Sequence, residues 1–303
     1  KNRPDPRFQL VRSSRDHETA HTVIGEPTFY ELRPGDTLLD IARYHGLGQT
    51  EMVEANPGLQ RFGPPQGQLI MLPTQRVLPD TEYDGLKINI PEMRLYYFRP
   101  SESGTAIVTT FPVGLGRDEW RTPHGPFRVR GKTENPTWVL PESIKKEWRE
   151  KGKHAPNAIP GGSPDNPLGE YRIELSIPMY ALHGTNMPWG VGMQVSHGCV
   201  RLYPEDIERL FPLVPVGVQG EFLYQPVKVG ARDGRIYLEV HKDIYTMAPA
   251  LHRQAEALLE ARGWRELVDM ERVARAVEEQ SGLPMDVTLE RAEPPIKNEK
   301  IGF

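Results

Sequence analysis

Polar and charged residues fill positions 1–27 without a sustained period, so this stretch reads as an extended lead or linker. Patterned sequence begins at Thr28. Residues 29–32 alternate as a strand does, Arg33-Pro34-Gly35-Asp36 makes a turn, and Leu38, Ile41 and Ala42 recur at helical spacing within 37–45. A second helical piece, 50–56, stops before Pro57-Gly58, and 68–72 returns as a strand, so the order over 28–73 is βααβ. After Pro79-Asp80, strand-like segments follow at 85–90, 94–98, 105–113 and 127–131, with tight connections at Gly114-Leu115-Gly116 and Thr122-Pro123-His124-Gly125. Residues 132–169 interrupt this rhythm with a long insertion carrying Trp138, Trp148 and many prolines. A short helix fits 141–151, and long irregular loops are commonly functional lids, so a cap over a cleft is expected. Tyr180-Ala181-Leu182 resumes the strand pattern, a helix starts at Pro204 with acids in its first turn, and 220–229 and 234–241 read as strands. From Ala248 the period becomes helical. Leu251, Ala255, Leu258 and Leu259, then Leu267, Met270, Val273, Ala274 and Val277, fit two amphipathic helices broken near Gly263. The pattern predicts a mainly β body over 84–230, with 132–169 as its insertion, followed by a C-terminal strand and helical subdomain over 231–303.

Composition changes this picture little. A chain of 303 residues accommodates two domains, and 38% hydrophobic with 26% charged residues describes a globular protein. The net charge of −4 gives no reason to expect nucleic acid as a partner. Thirty prolines, about twice the usual share, favour short strands and rigid connections over long helices. No run of about 18 apolar residues suggests a membrane-spanning helix. The chain begins at Lys1, and any signal peptide is expected in a removed segment.

Candidate chemistry concentrates between His183 and Arg201. Cys199 is the single cysteine, so it has no partner within the chain for a disulfide, and a lone thiol near histidines is a candidate nucleophile. A thiol near its reference pKa is only a few per cent thiolate at neutral pH and needs a base, which an imidazole supplies. The polar turn Ser196-His197-Gly198 between Val195 and Val200 is expected to expose Cys199 and to turn the N–H groups of Gly198 and Cys199 outward as an oxyanion hole. On an extended segment His197 and Cys199 share a face, so His183 must arrive from another strand, for which Tyr180-Ala181-Leu182 is the candidate. A single cysteine is also often an inert small hydrophobe. His124, His183, His197 and Cys199 are zinc-ligand types, though no two of these four stand in Cys-x-x-Cys or His-x-x-x-His spacing.

His183-Gly184-Thr185, a spacer, and Ser196-His197-Gly198-Cys199-Val200-Arg201 resemble the signature of the L,D-transpeptidase, YkuD-type, catalytic family. The resemblance implies a β-sandwich of mixed sheets, with Cys199 as nucleophile, His183 as base oriented by the main chain near Gly184, and Ser196, His197 and Gly198 in supporting positions. In that family the cysteine attacks the carbonyl of the third residue of a peptidoglycan tetrapeptide stem, D-alanine leaves, and an amine resolves the thioester. Arg201 either holds a substrate carboxylate with two hydrogen bonds or supports the turn through a salt bridge. The βααβ stretch resembles a LysM domain through Tyr30, Pro34-Gly35-Asp36-Thr37-Leu38, Ile41-Ala42, Ala55-Asn56-Pro57 and Leu72-Pro73, although 47–49 and 60–67 depart from its spacing. That likeness implies binding to glycan strands, with a purely structural spacer as the other reading. The implied partners are stem peptides, glycan strands and carbapenem-type β-lactams as covalent inhibitors, with no cofactor and no metal. The acceptor is open among a second stem peptide, giving a 3→3 cross-link, the lysine of an outer-membrane protein, and water, which would make a carboxypeptidase. A non-catalytic wall-binding protein is the alternative class. The substrate places the protein in the periplasm.

Overall fold

The computed structural model describes residues 3–10, 18–60, 65–102 and 105–290. Parts of the lead, of the 60–67 spacing and of the C-terminal region therefore lie outside the described residues.

Nine strands make the main sheet, in the order Arg7–Leu10, Ala106–Pro112, Arg94–Pro100, Gly85–Asn89, Gln219–Leu223, Gly125–Glu134, Tyr171–Leu175, Ala181–His183 and Val200–Arg201. The sheet is mixed. Gly85–Asn89 with Gln219–Leu223, and Ala181–His183 with Val200–Arg201, pair in parallel, and the other neighbours pair antiparallel. Gly125–Glu134 runs ten residues and joins the two halves, because its register shifts between Val129 and Gly131. Such an irregularity bends a strand and raises its twist. Leu86, Ile88, Leu95 and Phe111 of one half therefore share a core with Ile173, Leu182 and Val200 of the other. The expectation of a mainly β body with mixed sheets is met.

Two sequence readings change. The lead is not free: Arg7–Leu10 pairs with Ala106–Pro112 at the sheet edge, where Leu10 is buried, and Val23–Ile24 pairs with Arg76–Val77. The run 220–229 is two strands. Leu223 ends the first, the Gln225 N–H bonds to the side chain of Asn89, and Pro226 has no N–H to continue a ladder, so the chain turns into Val227–Arg232 of a second sheet. That sheet adds Arg235–Val240 and Met285–Asp286, and the helices Leu251–Ala261 and Met270–Glu279 cover it through Ala255, Leu259 and Val273. The C-terminal region is thus a sheet with two helices.

Ahead of the main sheet, Thr28–Glu31 pairs antiparallel with Leu69–Leu72 around α1 (Leu38–His45) and α2 (Gln49–Ala55), closing a core of Leu32, Leu38, Ile41, Met52 and Ile70. Thr37 caps α1 by accepting the Asp40 N–H at 3.1 Å. Lys228 ties the units together. Its fully buried ammonium bonds Glu92 at 2.8 Å, Glu239 at 2.7 Å and the Val77 carbonyl at 2.6 Å. Burial alone would raise the Glu239 carboxyl, but Lys228 and His241 hold it down at about 2.

Candidate active site

The parallel pairing of Ala181–His183 with Val200–Arg201 sets Leu182 opposite Val200 and His183 opposite Arg201. Cys199, one residue before the second strand, consequently lies beside the start of the first. Its thiol donates to the Met179 carbonyl at 3.4 Å, and the Ala181 N–H points at the sulfur. His183, Ser196, His197, Cys199 and Arg201 all line one cleft of about 680 Å³. The insertion supplies its other side. Trp138–Val139 and Ala158–Ile159 form a two-stranded ribbon, α3 (Glu142–Glu150) follows the first strand, and Trp138 and Trp148 meet edge to face at 5.8 Å in the cleft wall. Buried Asn166 staples this segment by donating to the carbonyls of Pro136 at 2.8 Å and Pro160 at 3.1 Å.

His183 is buried, and its Nδ1 lies 2.6 Å from the Gly184 carbonyl oxygen. A carbonyl only accepts, so Nδ1 carries the hydrogen and Nε2 keeps its lone pair. Burial, with the Arg201 guanidinium second, pushes the imidazole down to about 3 against the opposing effect of the Gly184 bond. Burial pushes the Cys199 thiol up, and the Ala181 N–H with the guanidinium groups of Arg172 and Arg201 offsets only part of this. At rest the pair is a neutral thiol and a neutral imidazole.

The turn before Cys199 is held from three sides. Gly198 sits at φ +107°, and a Cβ there would lie 2.7 Å from the Tyr180 ring. Ser196 Oγ donates to the Cys199 carbonyl at 2.6 Å and accepts the Gly198 N–H at 3.1 Å. Thr122 Oγ1 donates to the Gly198 carbonyl at 2.9 Å, and the Tyr245 hydroxyl, donating to Gly116 O at 2.6 Å, accepts the Thr122 N–H at 3.2 Å. The expected outward Gly198 N–H is therefore corrected: Ser196 occupies it. The positive φ also breaks the alternation that was to place His197 and Cys199 on one face. Both reach the cleft, but His197 turns to the cap, where its Nε2 lies 2.8 Å from Glu147 Oε2 and 3.0 Å from Arg117 Nη2. Bonds from Lys151 and His197 draw the Glu147 carboxyl down to about 2.

Arg201 is half-buried, its Nε is buried without a hydrogen-bond partner, and among the described residues it forms no ion pair. The salt bridge expected under one of the two readings of Arg201 is therefore not seen among the described residues. His124 is exposed in its turn and does not line the cleft. Sequence reasoning missed Arg117, Glu147 and Tyr245, which have no local signature. Thr122 lay within a turn that was noted, without a role.

A model of the YkuD family, the L,D-transpeptidase catalytic domain, matches residues 84–229. The probable L,D-transpeptidase ErfK/SrfK of Salmonella typhimurium is 35% identical over 279 residues, covering 89% of this chain and 89% of its own length. The probable L,D-transpeptidase YbiS of Escherichia coli is 40% identical over 228 residues, 74% of this chain and 73% of its own. L,D-transpeptidase 3 from Mycobacterium tuberculosis, solved with a faropenem-derived adduct, is 16% identical, with a TM-score of 0.32 over 52% of this chain and 74% of that one.

Proposed function

Since the chain belongs to the YkuD family of L,D-transpeptidases, we propose that its transpeptidation runs through a thioester on Cys199 with His183 as the base. As Sγ attacks the carbonyl of the third residue of a tetrapeptide stem, its proton passes to His183 Nε2, and the same nitrogen returns it to the departing D-alanine amine. An acceptor amine then attacks the thioester, gives its proton to Nε2, and the thiolate leaves and is reprotonated. The Gly198 N–H is engaged, so the oxyanion is assigned to the Cys199 N–H. Arg201 holds a carboxylate of the stem. The observation that carries this reading is the shared cleft, in which the Gly184 carbonyl fixes His183 in the tautomer whose Nε2 accepts a proton.

An amine is favoured over water as acceptor by the apolar cap wall of Trp138, Ile144 and Trp148. The amine belongs to a second stem, giving a 3→3 cross-link, or to a lysine of an outer-membrane protein. The βααβ unit is assigned to glycan strands, supported by the exposed Phe29, Tyr44 and Leu69 on its surface. A peptidoglycan substrate places the protein in the periplasm. Mass spectrometry after incubation with a carbapenem tests the chemistry. A covalent adduct on Cys199 of the native protein and none on Cys199→Ala is expected, and no adduct on the native protein, or an equal one on the variant, overturns it.

A further inference from the structure

The cleft is also walled by the loop carrying Met187, Trp189, Gly190 and Met193. Beyond the bonds that it makes within itself and to Thr185, it is held from two places. On the catalytic sheet, the Gly192 N–H donates to Val113 O at 3.1 Å and the Leu115 N–H donates to Met193 O at 3.0 Å. The remaining bonds come from the βααβ unit: at the start of α2 the Gln49 N–H donates to Val191 O at 3.1 Å and the Thr50 N–H donates to Gly192 O at 3.2 Å. These first-turn donors have no partner inside their own helix, so pairing them with the loop satisfies both sides. The approach is close enough to exclude side chains: a Cβ on Gly48 would lie 2.8 Å from Gly192 Cα, and one on Gly192, at φ +78°, would lie 2.4 Å from Gly48 Cα. Around this contact Gln49 Nε2 reaches the Tyr203 hydroxyl at 3.4 Å, Tyr203 donates to Leu47 O at 2.9 Å, and Arg43 pairs with Glu205.

We infer that the N-terminal βααβ unit is a working part of the active site, with Gly48 and the main chain of Gln49 and Thr50 acting as positioning residues that hold the 187–193 wall of the cleft. On this inference the unit is more than a tethered binding module, and disturbing its α2 contact lowers turnover although no residue of it touches the thiol. The inference rests on Cys199 acylation as proposed above.

Two substitutions and one control test it. Gly48 is extended (φ −84°, ψ 160°) and Gln49 is the first helical residue, so the local backbone accepts Gln49→Pro, which deletes the N–H to Val191. Gln49→Ala removes the same side chain and keeps that donor. Gly48→Ala leaves the helix intact and pushes a methyl against Gly192. Carbapenem acylation of Cys199 and kcat and KM on a tetrapeptide stem are measured beside thermal unfolding. Gln49→Pro and Gly48→Ala are expected to lose about ten- to a hundredfold in kcat/KM against Gln49→Ala and wild type, at matched folded fraction, as for a misplaced reacting geometry. Equal kcat/KM in Gln49→Pro and Gln49→Ala overturns the inference. Should Gln49→Pro fail to fold, Gly48→Ala decides alone, and wild-type kinetics there overturn it. Absence of an adduct on wild type counts against the Cys199 reading, whereas equal acylation of wild type and variants counts against this inference only.

Discussion

Holding His183 neutral has a thermodynamic signature that can be separated from catalysis. In the unfolded chain its imidazole titrates at the ordinary 6.5, and in the folded protein it titrates at about 3. Between these values the unfolded state binds the proton and the folded state does not, so stability from this group is intact above pH 6.5 and is lost as pH falls toward 3. Evaluating the two binding polynomials gives a cost near zero at pH 7 and about 2 kcal/mol at pH 5. The side chain is buried, so solvent screening removes little of this. His183→Gln keeps a neutral polar side chain and abolishes the titration. Urea unfolding of wild type and variant at pH 7 and pH 5 is the assay, because every other ionisable group is common to both proteins. Wild type should lose about 2 kcal/mol more than the variant over that interval, a midpoint difference on the order of 0.7 M for a chain of this size. Parallel losses would refute the argument, since His183 would then titrate alike in both states and could not be the buried neutral base.

Gly198→Ala forces a side chain into the left-handed region and against the Tyr180 ring. It should cost about 2 kcal/mol of stability in thermal unfolding and about a hundredfold in Cys199 acylation by mass spectrometry, and wild-type values for both would contradict the close fit of the turn. Lys228→Met removes the cation between Glu92 and Glu239 and leaves two buried carboxylates facing each other. A loss of about 3–5 kcal/mol at pH 7, shrinking in acid as those carboxylates take up protons, should appear in urea unfolding, and an unchanged midpoint at pH 7 would show that the network contributes nothing.

What could be read from the sequence, and what could not, follows from the range of the interactions involved. Alternation and helical spacing report a residue's own burial, so the strands around Leu86, Leu95 and Phe111 and the buried faces of the two C-terminal helices were legible. His183 and Cys199 stood out because their residue types and turn glycines lie within one short stretch. Pairing partners leave no such local trace. Nothing about Arg7–Leu10 says that it lies against Ala106–Pro112, and nothing in 220–229 distinguishes one strand from two except Pro226. Glu147 reaches His197 from fifty residues away, and Tyr245 reaches Gly116 from well over a hundred. The Gly198 N–H was misjudged for a related reason: a turn sequence shows that a donor is turned out of the ladder, but Ser196 had to be seen in place to show where that donor goes.

The neutral resting pair also explains why so much of the chain is spent on position. Burial pushes the Cys199 thiol up and the His183 imidazole down to about 3, so moving the thiol proton to His183 before attack runs uphill. Prior ionisation would add that uphill step to the barrier the chemistry must cross. Transfer during attack avoids that expense, because the proton reaches Nε2 while the sulfur's developing charge is taken up in the new bond to carbon. Such a concerted step tolerates little displacement of sulfur, imidazole or carbonyl. A preformed thiolate would be reactive in many orientations. A neutral thiol requires the turn fixed by Thr122, Ser196 and Tyr245, the tautomer fixed by Gly184 and the 187–193 wall fixed from α2.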